Sequence, residues 1–247
     1  KLLKNKNNRK DFPDYFERNG EKIYNDIEIS NYFCEHYTNV GKNLSETIVG
    51  GTQESKDYIN YSNNKTLFLN PIRISELETM IKELKTKNSK GHDGISNAFL
   101  KKIMYSILPI LEYIFNRSII ERKTPKIWKY AHICPLYKKG TKTMFINYRP
   151  VSLLPVISKI LEKCMFNRIY DFLEKNNIIY PSQYGYRKKH STQDAGLELL
   201  KEILLGNEDK KYTMAIFCDM SKAFDTINHK HVPNKLEKYG VRGHALA

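Results

Sequence analysis

Apolar positions recur at helical spacing over several long stretches of the chain. From Asp26 to Leu44, Ile27, Ile29, Tyr32, Phe33, Tyr37 and Val40 fall every three or four residues, which predicts an amphipathic helix with Gly41 as its stop. A second helix is expected from Ser75, where Ser75 and Glu78 have capping-box spacing ahead of Leu77, Met80, Ile81 and Leu84. Asn88 to Ile95 sets two glycines around Asp93, and Phe99, Ile103, Ile107, Leu108, Leu111, Ile114 and Phe115 follow. This reads as a loop feeding one long helix, with Asp93 as the cap rather than a metal ligand. His132 to Tyr137 and Tyr148 to Leu154 have the character of short strands, and the basic turn Lys138-Lys139-Gly140-Thr141-Lys142 suits an antiparallel hairpin. Helices are expected from Val156 to Glu174 and from Thr192 to Gly206, the second capped by Ser191 or Thr192. The uncharged run Thr213 to Cys218 suits a strand covered on both faces, ending at Asp219. Residues 1 to 25, rich in Lys, Asn and Asp, read as a mobile leader, and Gly50 to Lys65 as a linker.

Composition narrows the partners. The chain has 247 residues, enough for a real core, and a formal charge of +14 with a pI near 9.4. Such a charge calls for an acidic partner, and nucleic acid is the commonest for a chain without a membrane-like segment; a membrane surface is the competing explanation. No run of about 18 apolar residues occurs and no signal peptide opens the chain, so a spanning or secreted protein is not expected. Cys34, Cys134, Cys164 and Cys218 lie apart without a CxxC pair and read as reduced core residues in an intracellular protein. The histidines share no ligand spacing, and no phosphate-binding GxxxxGK[ST] loop, nucleophile elbow or HExxH is present.

The candidate chemistry gathers around a few segments. Asp219 stands where an apolar strand leaves the core, able either to hold a divalent cation through oxygen or to cap the next helix. Arg149 sits in NYRP, with Lys138 and Lys139 near the hairpin turn; guanidinium and ammonium groups suit phosphate oxygens, and a solvated basic turn is the alternative. Gln183-Tyr184-Gly185-Tyr186 precedes the patch Arg187, Lys188, Lys189 and His190, a pairing of aromatic and basic residues suited to a nucleic acid strand.

Taken in order, these segments carry a resemblance. FCDMSKAFDTINH resembles motif A of the reverse transcriptases of non-LTR (LINE-like) retrotransposons. NYRPVSLLPVISKILEKCMFNRIYDFL with PSQYGYRKKHST resembles the fingers motifs of that family, and KNSKGHDGISNAFLKK the motif before them. The resemblance covers roughly residues 65 to 247. It implies an RNA-directed DNA polymerase that extends a DNA primer on an RNA template from deoxynucleoside triphosphates, by two-metal nucleotidyl transfer with Mg²⁺. Asp219 is then a catalytic metal ligand, with the backbone carbonyl of Met220 beside it. Phe224 lies under the sugar of the incoming nucleotide and excludes a 2′-hydroxyl, unless it is a core residue opening a helix; Asp225 fixes the loop. Lys138, Lys139 and Arg149 contact the triphosphate, and Gln183, Tyr184, Arg187, Lys188 and Lys189 the template. Gly91 and Gly94 lie against the template–primer duplex.

The expected fold is α+β, a partial right-hand polymerase with helix-rich fingers, an antiparallel hairpin and the first strand of the palm. Its divisions are a leader, helix and linker over 1–65, fingers over 66–205, and the start of the palm over 206–247. The companion carboxylates of a Tyr-x-Asp-Asp hairpin do not follow Gly240, so the expectation is a fragment that binds nucleic acid and is inactive alone. Pro233, His231, Gly196 and Lys90 depart from the family pattern. The other reading is a catalytically dead, basic RNA-binding module derived from such an element. The resemblance implies an intracellular protein of the nucleus or a cytoplasmic ribonucleoprotein, without membrane contact.

Overall fold

The computed structural model describes residues 12–47, 62–220, 223, 224, 227, 229 and 231–246. The fold is mixed α/β, with two small antiparallel sheets among the described residues. Two compact units divide it, one within Lys1–Arg168 and Phe224–Ala247, the other Ile169–Ala223.

The first unit opens with a hairpin of β1 (Phe16–Arg18) and β2 (Glu21–Ile23). Asn19 and Gly20 take φ of 52° and 87° at its turn, the left-handed pair that a two-residue hairpin requires and that Asn-Gly supplies. This corrects the leader reading for 12–25; residues 1–11 lie outside the described residues. Asn25 caps α1 (Asp26–Thr47), its Oδ1 accepting from the Ile27 and Glu28 amides at 2.9 and 3.2 Å. The helix runs through Gly41, because one glycine costs only about 1 kcal/mol and no competing cap is built there. Most of the expected linker lies outside the described residues.

The main core joins α2 (Ile74–Glu83), α3 (Asn97–Lys102), α4 (Met104–Glu121) and the first part of α5 (Val156–Lys175) through Leu77, Ile81, Leu100, Leu108, Phe115 and Ile160. The expected long helix is broken at Ile103, and Ser96 caps its first piece by accepting from the Phe99 amide. Asp93 accepts instead from the Ile95 amide, an Asx turn just upstream of the cap. No Ser75–Glu78 capping box forms. Helix α2 begins earlier, and the Ile74 amide is taken by the Glu112 carboxylate of α4 at 3.1 Å. Asn116 of α4 grips the same approach segment, accepting from the Ile72 amide at 2.7 Å and donating to the Ile72 carbonyl at 2.8 Å. From α5, all five N–H groups of Arg168 find acceptors: both Glu76 oxygens and the carbonyls of Asn70, Pro71 and Cys164.

A second cluster, largely aromatic, holds Phe16, Ile23, Ile29, Phe33, Phe145 and Tyr148. It seats the hairpin of β3 (His132–Tyr137) and β4 (Tyr148–Leu153). Near the end of the unit, α7 (His231–Lys238) keeps Pro233 in its first turn, where the missing N–H costs nothing. The segment after α7 is tied to 63–67: the Asn63 and Leu67 amides donate to the Lys238 and Gly240 carbonyls, and Arg242 donates to the Asn63 carbonyl at 2.6 Å.

In the second unit α6 (Thr192–Glu208) starts with a capping box between Ser191 and Asp194. Residues 211–220 are exposed and outside any ladder, so the strand expected over Thr213 to Cys218 does not form here. A central strand draws its stability from neighbours on both edges, and among the described residues no strand pairs with this segment. Of the cysteines only Cys164 is buried; Cys34, Cys134 and Cys218 are exposed, which corrects their reading as core residues.

Arg168 and Glu76 sit 2.7 Å apart with side chains only 13% and 27% exposed, and the bonds to the guanidinium hold the Glu76 carboxyl below its ordinary range. Arg168→Ala leaves that carboxylate and several carbonyls unpaired, and urea denaturation is expected to show a loss of about 2–4 kcal/mol. Because the folded-state value of Glu76 is lowered, its contribution is full above the ordinary glutamate range and lost as pH falls through the lowered value. The variant should therefore lose part of the wild-type acid sensitivity, and an unchanged acid limb would contradict the assignment.

Candidate functional site

The β3–β4 hairpin gives its two faces different environments. Side chains alternate along each strand, and opposed residues share a face. Tyr148 pairs with Tyr137 on the face seated in the aromatic cluster. Arg149 pairs with Leu136 and Val151 with Cys134 on the other face, where all four are exposed. The connection is longer than the expected five-residue turn: an ordered loop in which Phe145 is buried and Tyr148 donates to the Lys142 carbonyl at 2.8 Å. Gly140 has φ of 94°, and a Cβ there would lie 2.7 Å from the Asn147 side chain, itself bonded to the Thr141 carbonyl. Lys138 and Lys139 stand exposed at the mouth of this loop. The structure thus brings the three predicted cations to one end of one rigid hairpin.

The Gly91 loop packs against the junction of β4 and α5. A Cβ on Gly91 would meet Pro155 N at 2.9 Å and Leu154 C at 3.0 Å, so the backbones approach as only glycine allows. Gly94, with φ of 74°, closes the turn by donating to the Gly91 carbonyl. Both glycines therefore have structural duties. The loop also forms one side of a concave groove of about 440 Å³, whose lining includes Lys85, Lys87, Lys90 and Lys159 together with Ser89 and β4 residues. Among those lining residues there is no Asp or Glu. Sequence reasoning assigned none of these lysines; the close spacing of Lys85, Lys87 and Lys90 was the signal available, and Lys159, from α5, is added by the fold. Beside the loop, both ring nitrogens of His92 are buried without a partner, and the ring lies against Tyr130 and His132 at 5.8 and 6.2 Å.

In the second unit, Arg187 turns away from the role expected of it. Its Nε and NH2 donate to the two Glu174 oxygens at 2.8 and 3.1 Å, and its NH1 to the Tyr180 and Pro181 carbonyls. With the side chain 15% exposed, the guanidinium holds the loop together and is not available to a template phosphate in this arrangement. Tyr170 donates to Glu174 at 2.6 Å and accepts from the Lys188 amide at 2.9 Å, so α5 fixes the loop at two points. Gln183, Lys188 and Lys189 are exposed, and Tyr184 is half-buried beside His190 at 5.8 Å. Lys188 Nζ lies 4.7 Å from the Tyr170 ring centroid and 3.5 Å from Asp171.

Asp219 and Met220 end the exposed stretch 211–220, with Met220 75% exposed. Phe224, 71% exposed on a turn, is not a core residue in this structure, while Asp225 lies outside the described residues. Among the described residues no three His, Cys, Asp or Glu side chains come together as a metal site. One carboxylate and one backbone carbonyl do not make a two-metal donor set by themselves.

Residues 137–246 match the family described as "Reverse transcriptase (RNA-dependent DNA polymerase)". The chain is 33% identical, over 90% of its length, to the probable RNA-directed DNA polymerase from transposon BS of Drosophila melanogaster, covering 25% of that protein. It is 26% identical to the corresponding protein of the X-element of the same fly, again over 90% of this chain and 25% of the relative. The polymerase of the mobile element jockey is 30% identical over 72% of this chain and 19% of its own length. Over residues 137–246 the chain carries the reverse transcriptase domain, and its similarity to polymerases of non-LTR, LINE-like retrotransposons extends over nine-tenths of its length. The chain spans about a quarter of the length of the first two relatives. The family match begins within the hairpin, at Tyr137, so it takes in the β4 side of the groove with Lys159, while Lys85, Lys87, Lys90 and the Gly91 loop lie in the part that the longer pairwise similarities reach.

The loop that Arg187 and Glu174 hold together carries its own pH dependence. Bonds from Arg187 first, then from Tyr170, lower the Glu174 carboxyl from 4.5 to about 2. A depressed folded value means that the stabilisation is complete above pH 4.5 and lost as pH falls towards about 2. Hydrogen exchange at the Lys188 amide, corrected for its intrinsic rate, should lose protection across that window. Glu174→Gln should show the faster exchange already at neutral pH; protection insensitive to both changes would remove Glu174 as the anchor.

Proposed function

We propose that this segment supplies the fingers and the start of the palm of an RNA-directed DNA polymerase, with fingers over 66–205 and palm from 206. The observation that carries the reading is the agreement between similarity and geometry. Relatives named as RNA-directed DNA polymerases align with nine-tenths of the chain, and the hairpin keeps Arg149, Lys138 and Lys139 exposed on a rigid support. A planar guanidinium flanked by ammonium groups suits the β- and γ-phosphates of a deoxynucleoside triphosphate. Gly91 and Gly94 shape the loop beside the lysine groove, which takes the phosphate backbone of an RNA template or its duplex with primer DNA. Gln183, Tyr184, Lys188 and Lys189 add template contacts, whereas Arg187 positions their loop. Asp219 and the Met220 carbonyl contribute to a divalent ion site, filled by magnesium in the complete enzyme, whose other ligands are not among the described residues. Phe224 stands against the sugar. Work on an RNA template places the complete protein inside the cell, in the nucleus or a cytoplasmic ribonucleoprotein.

Binding of this chain to single-stranded RNA across salt tests the groove. Affinity should fall steeply with salt, and replacing Lys85, Lys87, Lys90 and Lys159 together by alanine should lower the slope by roughly one for each lysine that meets a phosphate. An unchanged slope in the quadruple variant would place the RNA elsewhere.

The catalytic assignments are tested in a full-length polymerase containing this segment. Arg149→Ala is expected to cost about 2–3 kcal/mol in kcat/KM for the nucleotide while leaving template affinity unaltered. Asp219→Asn should abolish synthesis without loss of folding, and Phe224→Val should keep synthesis while admitting ribonucleotides. Normal synthesis by Asp219→Asn would defeat the metal-ligand role. RNA binding without any synthesis by the unmutated full-length protein would favour the catalytically dead binding module.

A further inference from the structure

The main chain of the loop between β3 and β4 is organised in a way that the side-chain assignments leave unused. Four successive carbonyls are taken by donors of the hairpin and of β1. The Tyr137 hydroxyl donates to the Gly140 carbonyl, the Asn147 amide to Thr141 at 2.8 Å and the Tyr148 hydroxyl to Lys142 at 2.8 Å. The Glu17 N–H of β1 donates to the Thr143 carbonyl at 2.9 Å. Glu17 has this N–H to give because Arg18 and Glu21 close the two-residue turn, so the alternation of an antiparallel ladder points the groups of Glu17 to the outer edge. In a trans peptide the N–H lies opposite the C=O of the same unit, and no cis bond occurs among the described residues. The carbonyls held at Gly140, Thr141 and Lys142 therefore turn the amides of Thr141, Lys142 and Thr143 away from those donors. Among the described residues none of the three amides has a protein acceptor. Thr141 and Lys142 are exposed, and Thr143 is half-buried. Successive free N–H groups in a turn make an anion-binding concavity. The side chains add charge of the matching sign: Lys138, Lys139 and Lys142 belong to the loop, and no Asp or Glu lies between Lys138 and Asn147. Glu17 meets the loop through its main chain, and the residue lines a neighbouring groove together with Arg18.

We propose that the main-chain amides of Thr141, Lys142 and Thr143 bind a terminal polyphosphate, with Tyr137, Asn147, Tyr148 and the edge of β1 as the groups that position them. Several amides in one turn with three ammonium groups match an anion that concentrates several charges at one end; a phosphodiester carries one. Binding then depends on β1, which lies outside the family match. That the anion is the triphosphate of a nucleotide rests on the polymerase reading; binding of the anion by the loop does not.

The test is amide NMR on the 247-residue chain, deuterated and labelled with nitrogen-15, titrated with tripolyphosphate in metal-free buffer. The amide protons of Thr141, Lys142 and Thr143 should move downfield saturably, as N–H groups do on meeting an anionic acceptor. Single-stranded RNA with hydroxyl ends, which offers only phosphodiesters, should leave them in place. Asn147→Ala combined with Tyr148→Phe keeps every lysine and Arg149 but releases the Thr141 and Lys142 carbonyls. Its affinity for tripolyphosphate should fall about tenfold, the scale of one charge-assisted hydrogen bond, whereas attraction by the lysines alone predicts no change. The Phe145 amide signal reports whether the hairpin keeps its seat, and the wild-type shifts decide by themselves if the double variant unfolds. Unshifted amides at saturating tripolyphosphate, equal movement with the RNA, or wild-type affinity in a folded double variant would each overturn the proposal. Deoxythymidine triphosphate should move the same three amides. If tripolyphosphate moves them and the nucleotide does not, the main-chain site stands and the nucleotide reading of the hairpin falls.

Discussion

The Arg168 guanidinium ties the chain segment ahead of α2 to α5. Its five donors meet the Glu76 carboxylate and the carbonyls of Asn70, Pro71 and Cys164, while Asn116 and Glu112 of α4 take the amides of Ile72 and Ile74 from the other side. A segment entering a helix carries backbone groups with no intrahelical partner, and burial makes every unmet one expensive. Ile72 is 1% exposed, and Asn116 of α4 satisfies both its backbone groups while Arg168 of α5 takes the carbonyls of the two residues before it. Once they do, α2, α4 and α5 have a common reference point, and Leu77, Ile81 and Phe115 can close the core between them.

The same logic, carried by aromatic packing, supports the hairpin. Phe16 from β1, Phe33 from α1 and Phe145 from the hairpin loop lie within 5.1 Å of one another by ring centroid, and Tyr148 stands 5.4 Å from both Phe16 and Phe33. A two-stranded hairpin is marginal by itself. Buried along one face, it becomes a stiff support for the exposed cations on the other. Function and stability thus share strands by alternation: Tyr148 belongs to the core and its neighbour Arg149 to solvent.

The loop around Arg187 shows how residue type can mislead. A basic patch next to aromatics fits a polynucleotide, and Lys188 and Lys189 keep that possibility. Arg187 lies in the same short run, but a carboxylate on α5, thirteen residues upstream, captures it. A planar fork with five donors is well suited to an internal role, because it can satisfy several carbonyls at once while pairing one carboxylate. The lysines beside it, with compact and strongly hydrated heads, remain outward.

Local patterning by itself determined the helices α5 and α6, the β3 and β4 boundaries to within a residue, and the fold class, because those features depend on periodicity and on neighbours in sequence. The Asn19-Gly20 turn was also written locally, and the polar composition around it obscured the signal. Motif order determined the family. Tertiary structure decided what depends on remote partners: Glu112 in place of a capping box at Ser75, the break at Ile103, the capture of Arg187, and the recruitment of Lys159 to a groove begun by Lys85, Lys87 and Lys90. It decided as well that Thr213 to Cys218, with the composition of a buried strand, stays exposed around Met214, Ile216 and Phe217. Composition states what a segment gains when covered; only the arrangement of the rest of the chain determines whether an edge is there to pair with it.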